Sequence, residues 1–273
     1  MRLLRTRKGL ARQDGEQLAM LAIENTGLDA YLGSPDVLAS TETVEQIPSS
    51  EDQAWQPLLD RPNRFIIIGL NYHAHCAEIG ADVPERLIFA IAPATAITHS
   101  GADIDIVSDQ VDYEGEIGLV IGQGGKDIEV ADAWQHIFGI TPLNDVSARD
   151  IQAARTREAV GQAKGFPGFK PIGPCLATPD EFADKDAITL FTSVNGEQRQ
   201  TGHSGDMIFG IAEIVSLISQ QTELKPGDVI CTGTPGGVAH GGAHPYLKPG
   251  DEVRITVGDL PPLVNRFREV ENR

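Results

Sequence analysis

At 273 residues, with 41% hydrophobic and 22% charged side chains, the chain has the composition of a soluble globular protein able to bury a sizeable core. A formal net charge of −17 repels nucleic acid and anionic membrane surfaces, so neither is expected as a partner. An anionic small molecule would have to meet local positive charge, which a bound cation can supply.

The first residues, Met1 to Lys8, are basic without the apolar core of a signal peptide, and no run reaches transmembrane length. Three scattered cysteines, Cys76, Cys175 and Cys231, read as reduced thiols, which together point to the cytoplasm. An apolar run from Leu18 to Ile23 is followed by a polar stretch from Ser40 to Gln53. With Pro57, Arg61 and Pro62 after it, that stretch reads as a linker, dividing a small N-terminal domain (1–60) from a larger one (61–273). Short β-branched runs then recur between glycines and prolines: Phe65 to Ile68, Ile117 to Ile121, Ile188 to Val194, Val229 to Cys231, and Val253 to Val257. Such spacing predicts an α+β, mostly β domain rather than a regular βαβ alternation.

Chemistry-bearing segments fall between these runs. After the strand at 65–68, a short helix opening at Asn71 or Tyr72 puts His75 and Glu78 on one face, where a carboxylate raises the basicity of an imidazole. A plain surface pair is the alternative. His73 points elsewhere, and Gly80 closes the segment as a possible hinge.

The run Val111 to Ile121 reads as one strand, with Asp112, Glu114 and Glu116 on one face and Tyr113, Ile117 and Leu119 on the other. Acidic groups entering a core want a metal; a solvated edge is the competing explanation. Asp145 stands before a helical stretch, Ser147 to Val160, so it either joins those carboxylates or serves as a helix N-terminal residue. Arg149 and Gln152 share a face of that helix. In the loop from Gln162 to Pro174, Lys164 or Lys170 can bring positive charge to an anion. The turn Thr232 to Gly237 suits either an oxyanion or its own backbone shape.

In order along the chain stand Gly69-Leu-Asn-Tyr-x-x-His75, Asp112-Tyr-Glu-x-Glu116, Asn144-Asp-x-Ser-Ala-Arg-Asp-Ile-Gln152 and Ala163-Lys-x-Phe166. Val194-Asn-Gly-Glu-x-Arg-Gln200, Asp206-Met-Ile-Phe209 and Thr232-Gly-Thr-Pro235 follow. This series, over roughly residues 63–270, resembles the fumarylacetoacetate hydrolase family.

The resemblance implies a layered mixed β-sheet fold with a small N-terminal region, commonly a homodimer. It implies Mg²⁺ or Mn²⁺ held by Glu114, Glu116 and Asp145, a set of hard oxygen donors unlike that of zinc. It further implies a water-activating His75–Glu78 dyad on a mobile lid, Lys164 stabilising enolate charge, and Arg149, Gln152 and Thr234 contacting substrate. The implied activity is hydrolysis of a carbon–carbon bond in a 2,4-dioxo acid such as an acylpyruvate, or in a related β-diketone, with an enolate product such as pyruvate. Decarboxylation or keto–enol isomerisation of a related 2-oxo acid is the alternative on the same site. A non-catalytic homologue that binds metal and keto acid is the alternative of another class. Two departures from the family pattern, Ile91 in Phe89 to Pro93 and Gly168 where a hydroxyl is common, predict a substrate with a less charged or bulkier distal end.

Overall fold

Three of the β-branched runs, at 65–68, 117–121 and 229–231, form the middle of one mixed twelve-stranded sheet, and the other two belong to a second sheet. From one edge its main path is Thr43–Pro48, Gln17–Leu21, Gly9–Asp14, Arg2–Thr6, Cys175–Ala177, Ile137–Asn144, Gly115–Ile121, Asp228–Cys231, Arg64–Gly69 and Ile88–Ala92. Lys170–Ile172 and Ile97–His99 attach beside it. The computed structural model describes residues 1–49, 54–153 and 156–270.

The central strands read as unbroken apolar runs because both their faces are covered. On one face Ile66, Ile68, Ile117 and Leu119 pack with Ile214 and Ile218 of the helix Ile211–Gln221. The same cluster takes in Leu190, Val253 and Phe267 from a second, five-stranded sheet. On the other face Phe65, Ile67, Val120 and Leu143 meet Leu3, Leu10 and Leu28. The mostly β, layered architecture is the expected one.

The N-terminal strands belong to the large sheet, with Leu3 opposite Leu176. The expected linker is itself partly strand: Thr43–Pro48 pairs with Gln17–Leu21 as the sheet edge. It looks like a linker because an edge strand turned to solvent carries polar side chains, and even its Val44 is 70% exposed. The rest of that stretch, 50–53, lies outside the described residues. Among the described residues no helix is long and apolar enough to cross a membrane.

Two further expectations are corrected. The strand at 111–121 is broken: Val111–Asp112 pairs with Ser147–Ala148 in a separate ribbon, and Gly115–Ile121 enters the large sheet. Side chains take over the backbone donors between them. Asp112 Oδ1 accepts from Tyr113 N–H, Asn144 Oδ1 from Glu114 N–H, and Gln200 Oε1 from Gly115 N–H. The helical stretch from Ser147 is likewise divided into a strand, the helix Arg149–Gln152 and the helix Arg157–Ala163. Thr156 ends the interruption by capping the last of these through Ala159 N–H.

The residue between the two glutamates has to be glycine for a reason remote in sequence. A Cβ at Gly115 would lie 2.0 Å from Thr192 Oγ1 and 3.2 Å from Gln200 Oε1. Gly115→Ala is expected to destabilise the fold by about 1–3 kcal/mol through overpacking, read as a lowered denaturant midpoint with unchanged m-value.

Candidate active site

The register that sets Gly115 opposite Asn144 brings three remote carboxylates together. Asp145 follows the strand Ile137–Asn144 directly, and its N–H donates to the Glu114 carbonyl at 2.9 Å. Oxygens of Glu114, Glu116 and Asp145 all lie within 4.8 Å of one another, and all three residues are buried. The reading of Asp145 as a helix N-terminal residue therefore falls away, and so does the solvated edge. Asp112 stays outside the cluster. Its carboxylate accepts from Arg149 Nε and from the N–H groups of Ala239 and His240.

Cations interleave the acids. Arg149 lies 2.7 Å from Glu114 Oε1 and 2.8 Å from Asp112 Oδ2, and it donates to Gln152 Oε1. Lys164 Nζ bridges Glu114 Oε2 and Asp145 Oδ2 at 2.5 Å each, and Lys170 Nζ lies 2.6 Å from Asp145 Oδ1. Both lysines that the sequence left as alternatives thus reach the same carboxylate.

Burial works against ionisation of Glu114, but the charges of Lys164 and Arg149 outweigh it and hold its pKa well below the usual range. Burial would likewise lower the Lys164 and Arg149 values, and their carboxylate partners more than reverse this. Glu116 has no cation in ion-pair contact, and the lowering effect of the Lys164 charge on it is outweighed. Burial first, then the charges of Asp145 and Glu114, push its pKa well up; only Gly233 N–H reaches its Oε2, and Oε1 has no partner.

With every carboxyl of the site ionised, Asp112, Glu114, Glu116 and Asp145 stand against Arg149, Lys164 and Lys170, four negative and three positive, a net −1. An orphaned carboxylate oxygen, an all-oxygen donor set and an excess of negative charge fit a hard divalent cation such as Mg²⁺ or Mn²⁺. A carboxyl of raised pKa favours the metal-free fold at acid pH, and this contribution is lost as pH rises through the raised value. Mg²⁺ uptake is therefore expected to expel a proton. Calorimetry in buffers of different ionisation enthalpy should show release that grows, and affinity that falls, as pH is lowered.

The dyad sits on the short helix His73–Glu78. Asn71 anchors its start: Nδ2 donates to the Phe209 and Thr232 carbonyls, and Oδ1 accepts from Phe209 N–H. This contact ties the Asp206–Phe209 motif to the helix start through the Phe209 backbone. His75 Nδ1 is 3.4 Å from Glu78 Oε2, and Glu78 Oε1 accepts from Gly237 N–H at 2.9 Å. Burial raises the Glu78 pKa, but His75 and the Gly237 N–H bring it below the ordinary value. Gly237 is required there: its φ is +107°, and a Cβ would lie 1.9 Å from the Arg199 carbonyl oxygen. His75 is buried at 6% exposure, whereas His73 is exposed.

A cavity of about 520 Å³ opens on this constellation. His75, Glu114, Arg149, Gln152, Lys164 and Thr234 line its polar side, and Ile79, Ile88, Phe89 and Val160 its apolar wall. The Thr234 hydroxyl is committed, donating to the Gly115 carbonyl and accepting from Gln200 Nε2. Sequence reasoning gave Gln200 no role although it ends the motif at 194–200, and it missed His240, which lines the cavity only because the fold carries it there. Ile91 and Gly168 do not line it, so the substrate argument drawn from them is withdrawn. Ile91 turns to a separate groove with Phe166 and Pro167, and Gly168 answers a backbone need, with φ +84°.

Over residues 64–268 the chain matches the family pattern described as the C-terminal part of fumarylacetoacetate (FAA) hydrolase. It belongs to the fumarylacetoacetate hydrolase family. It is 38% identical over 226 residues to the oxaloacetate tautomerase YisK of Bacillus subtilis (strain 168), spanning 80% of this chain and 74% of that one. Among solved structures it is similar to a 5-carboxymethyl-2-hydroxymuconate delta-isomerase from Mycobacterium smegmatis, with TM-score 0.77, 32% identity, and 99% and 100% of the two chains covered. A fumarylacetoacetate hydrolase from Exiguobacterium antarcticum superposes with TM-score 0.84 at 26% identity, covering 98% of each chain. Its relatives are thus hydrolases, isomerases and tautomerases of one fold.

Proposed function

We propose that this protein is a divalent-metal-dependent enzyme acting on 2-oxo acids, and that it hydrolyses a carbon–carbon bond in a 2,4-dioxo acid. The observation that carries the reading is the placement of His75, backed by Glu78, on the cavity that also presents Glu114, Arg149 and Lys164. Mg²⁺ or Mn²⁺ held by Glu114, Glu116 and Asp145 would supply Lewis-acid charge to the substrate's carboxylate and 2-oxo oxygens.

His75 takes a proton from water, and Glu78 stabilises the resulting imidazolium through Nδ1. The hydroxide attacks the distal carbonyl, the bond between that carbon and C3 breaks, and the electron pair remains on the pyruvyl fragment as an enolate. Lys164 offsets the developing negative charge, and His75 returns its proton to C3. The apolar wall of Ile79, Ile88, Phe89 and Val160 receives the acyl end, excluding water from it. Homodimeric assembly and a cytoplasmic location belong to the same reading.

Keto–enol tautomerisation is the second reading, favoured by the 38% identity to an oxaloacetate tautomerase. It uses the same proton shuttle without delivering water. Acylpyruvates and oxaloacetate, assayed with Mg²⁺ or Mn²⁺ by ultraviolet absorbance and pyruvate release, separate the two. Pyruvate from acylpyruvates supports hydrolysis. An absorbance change of oxaloacetate without pyruvate supports tautomerisation. No turnover on any substrate leaves a binding homologue.

A further inference from the structure

Lys170 is fully buried beside the acidic cluster, and the chemistry above gives it no task. Its ammonium is held in one place: 2.6 Å from Asp145 Oδ1, and donating to the carbonyls of Lys164 at 2.5 Å and Phe169 at 3.2 Å. Two carbonyls take hydrogen bonds from it and Asp145 is its ion-pair partner, and its full burial keeps it from solvent. It does not line the cavity. The strand Lys170–Ile172 puts it there, because Ile172 pairs with Leu143 on the strand that delivers Asp145.

Burying an ammonium is costly, and an apolar side chain of similar volume is often as stable at such a site. The charge count gives a reason for the lysine. With Lys170 the fully ionised cluster carries −1, and a divalent cation brings it to +1. Without Lys170 the values are −2 and 0, so the loaded site would offer an anion no net attraction. A cation fixed 2.6 Å from an Asp145 oxygen also repels the metal. This Coulomb effect in a buried site exceeds the loss from a loosened ligand, since outer contacts typically change metal affinity by about 10–100-fold.

We propose that Lys170 is a positioning residue acting through Asp145: it weakens the site's hold on its divalent cation and leaves the loaded site one unit positive toward the substrate carboxylate. The second half rests on the proposed 2-oxo acid function; the first does not.

The test is Mg²⁺ titration calorimetry on the full chain carrying Lys170→Met, or Lys170→Gln, which keeps a donor for the neighbouring carbonyls. Both variants should bind Mg²⁺ at least about tenfold more tightly than the parent. They should also gain more in melting temperature on Mg²⁺ addition, and show a severalfold higher KM for whichever 2-oxo acid the parent turns over. A merely structural lysine predicts the opposite sign, weaker Mg²⁺ binding in both. Unchanged or weaker binding overturns the proposal, as does failure of both variants to fold at saturating Mg²⁺. A parent without turnover on any 2-oxo acid sinks the functional reading and the substrate half, while the Mg²⁺ result decides the first half by itself.

Discussion

Glu116→Gln should abolish Mg²⁺ binding and turnover together while leaving the protein folded. Glu116 accepts one hydrogen bond, from Gly233 N–H, and its other oxygen has no partner, so the amide replaces it with little disturbance. The substitution removes the one cluster carboxylate that makes no ion pair, and with it a carboxyl whose ionised form is unfavourable there. The metal-free variant is therefore expected to be at least as stable as the parent. Loss of a direct ligand should exceed the roughly 10–100-fold effect of an outer contact, so calorimetry should find Mg²⁺ affinity reduced by more than about a hundredfold. Glu114→Ala is expected to lose binding and turnover too, but with lost stability, because it takes one of two carboxylate partners from each of the buried cations Arg149 and Lys164. Retention of parental affinity in Glu116→Gln would show that the ion sits elsewhere.

His75→Ala has the other large expected effect, and the opposite signature. His75 touches none of the three carboxylates by hydrogen bond or ion pair; its partner is Glu78. Turnover should fall by about 10²–10⁴-fold, the usual contribution of a positioned base, with Mg²⁺ affinity kept. Glu78→Gln should give a smaller loss, since the imidazole keeps its place while its protonated form loses support. Turnover of His75→Ala at the parental rate would remove the dyad from the mechanism and leave proton transfer to another cavity group.

How much was legible beforehand depended on how local each feature is. Parity along a strand paired Glu114 with Glu116, and three-residue spacing on a helix paired His75 with Glu78. Both relations survive because they depend on neighbours in the chain. Parity failed at Asp112, where side-chain acceptors capture the backbone donors of residues 113–115 and turn the chain out of the ladder. The polar run 43–48 misled for a related reason: composition reports exposure, and an edge strand is as exposed as a linker.

From the sequence alone came the mostly β class, the family and the residue types of a carboxylate site with its base. The tertiary structure decided which of them meet. Strand register carries Asp145 to the two glutamates, and the pairing of Ile172 with Leu143 turns a second lysine onto that aspartate. It also places Ile79, Ile88 and Phe89, rather than Ile91, on the cavity wall. Conformational preference is written over a few neighbouring residues, whereas the separation of remote side chains is set by long-range pairing. The motifs implied, through the family resemblance, that Asp145 joins the two glutamates, and the strand register supplies the physical means.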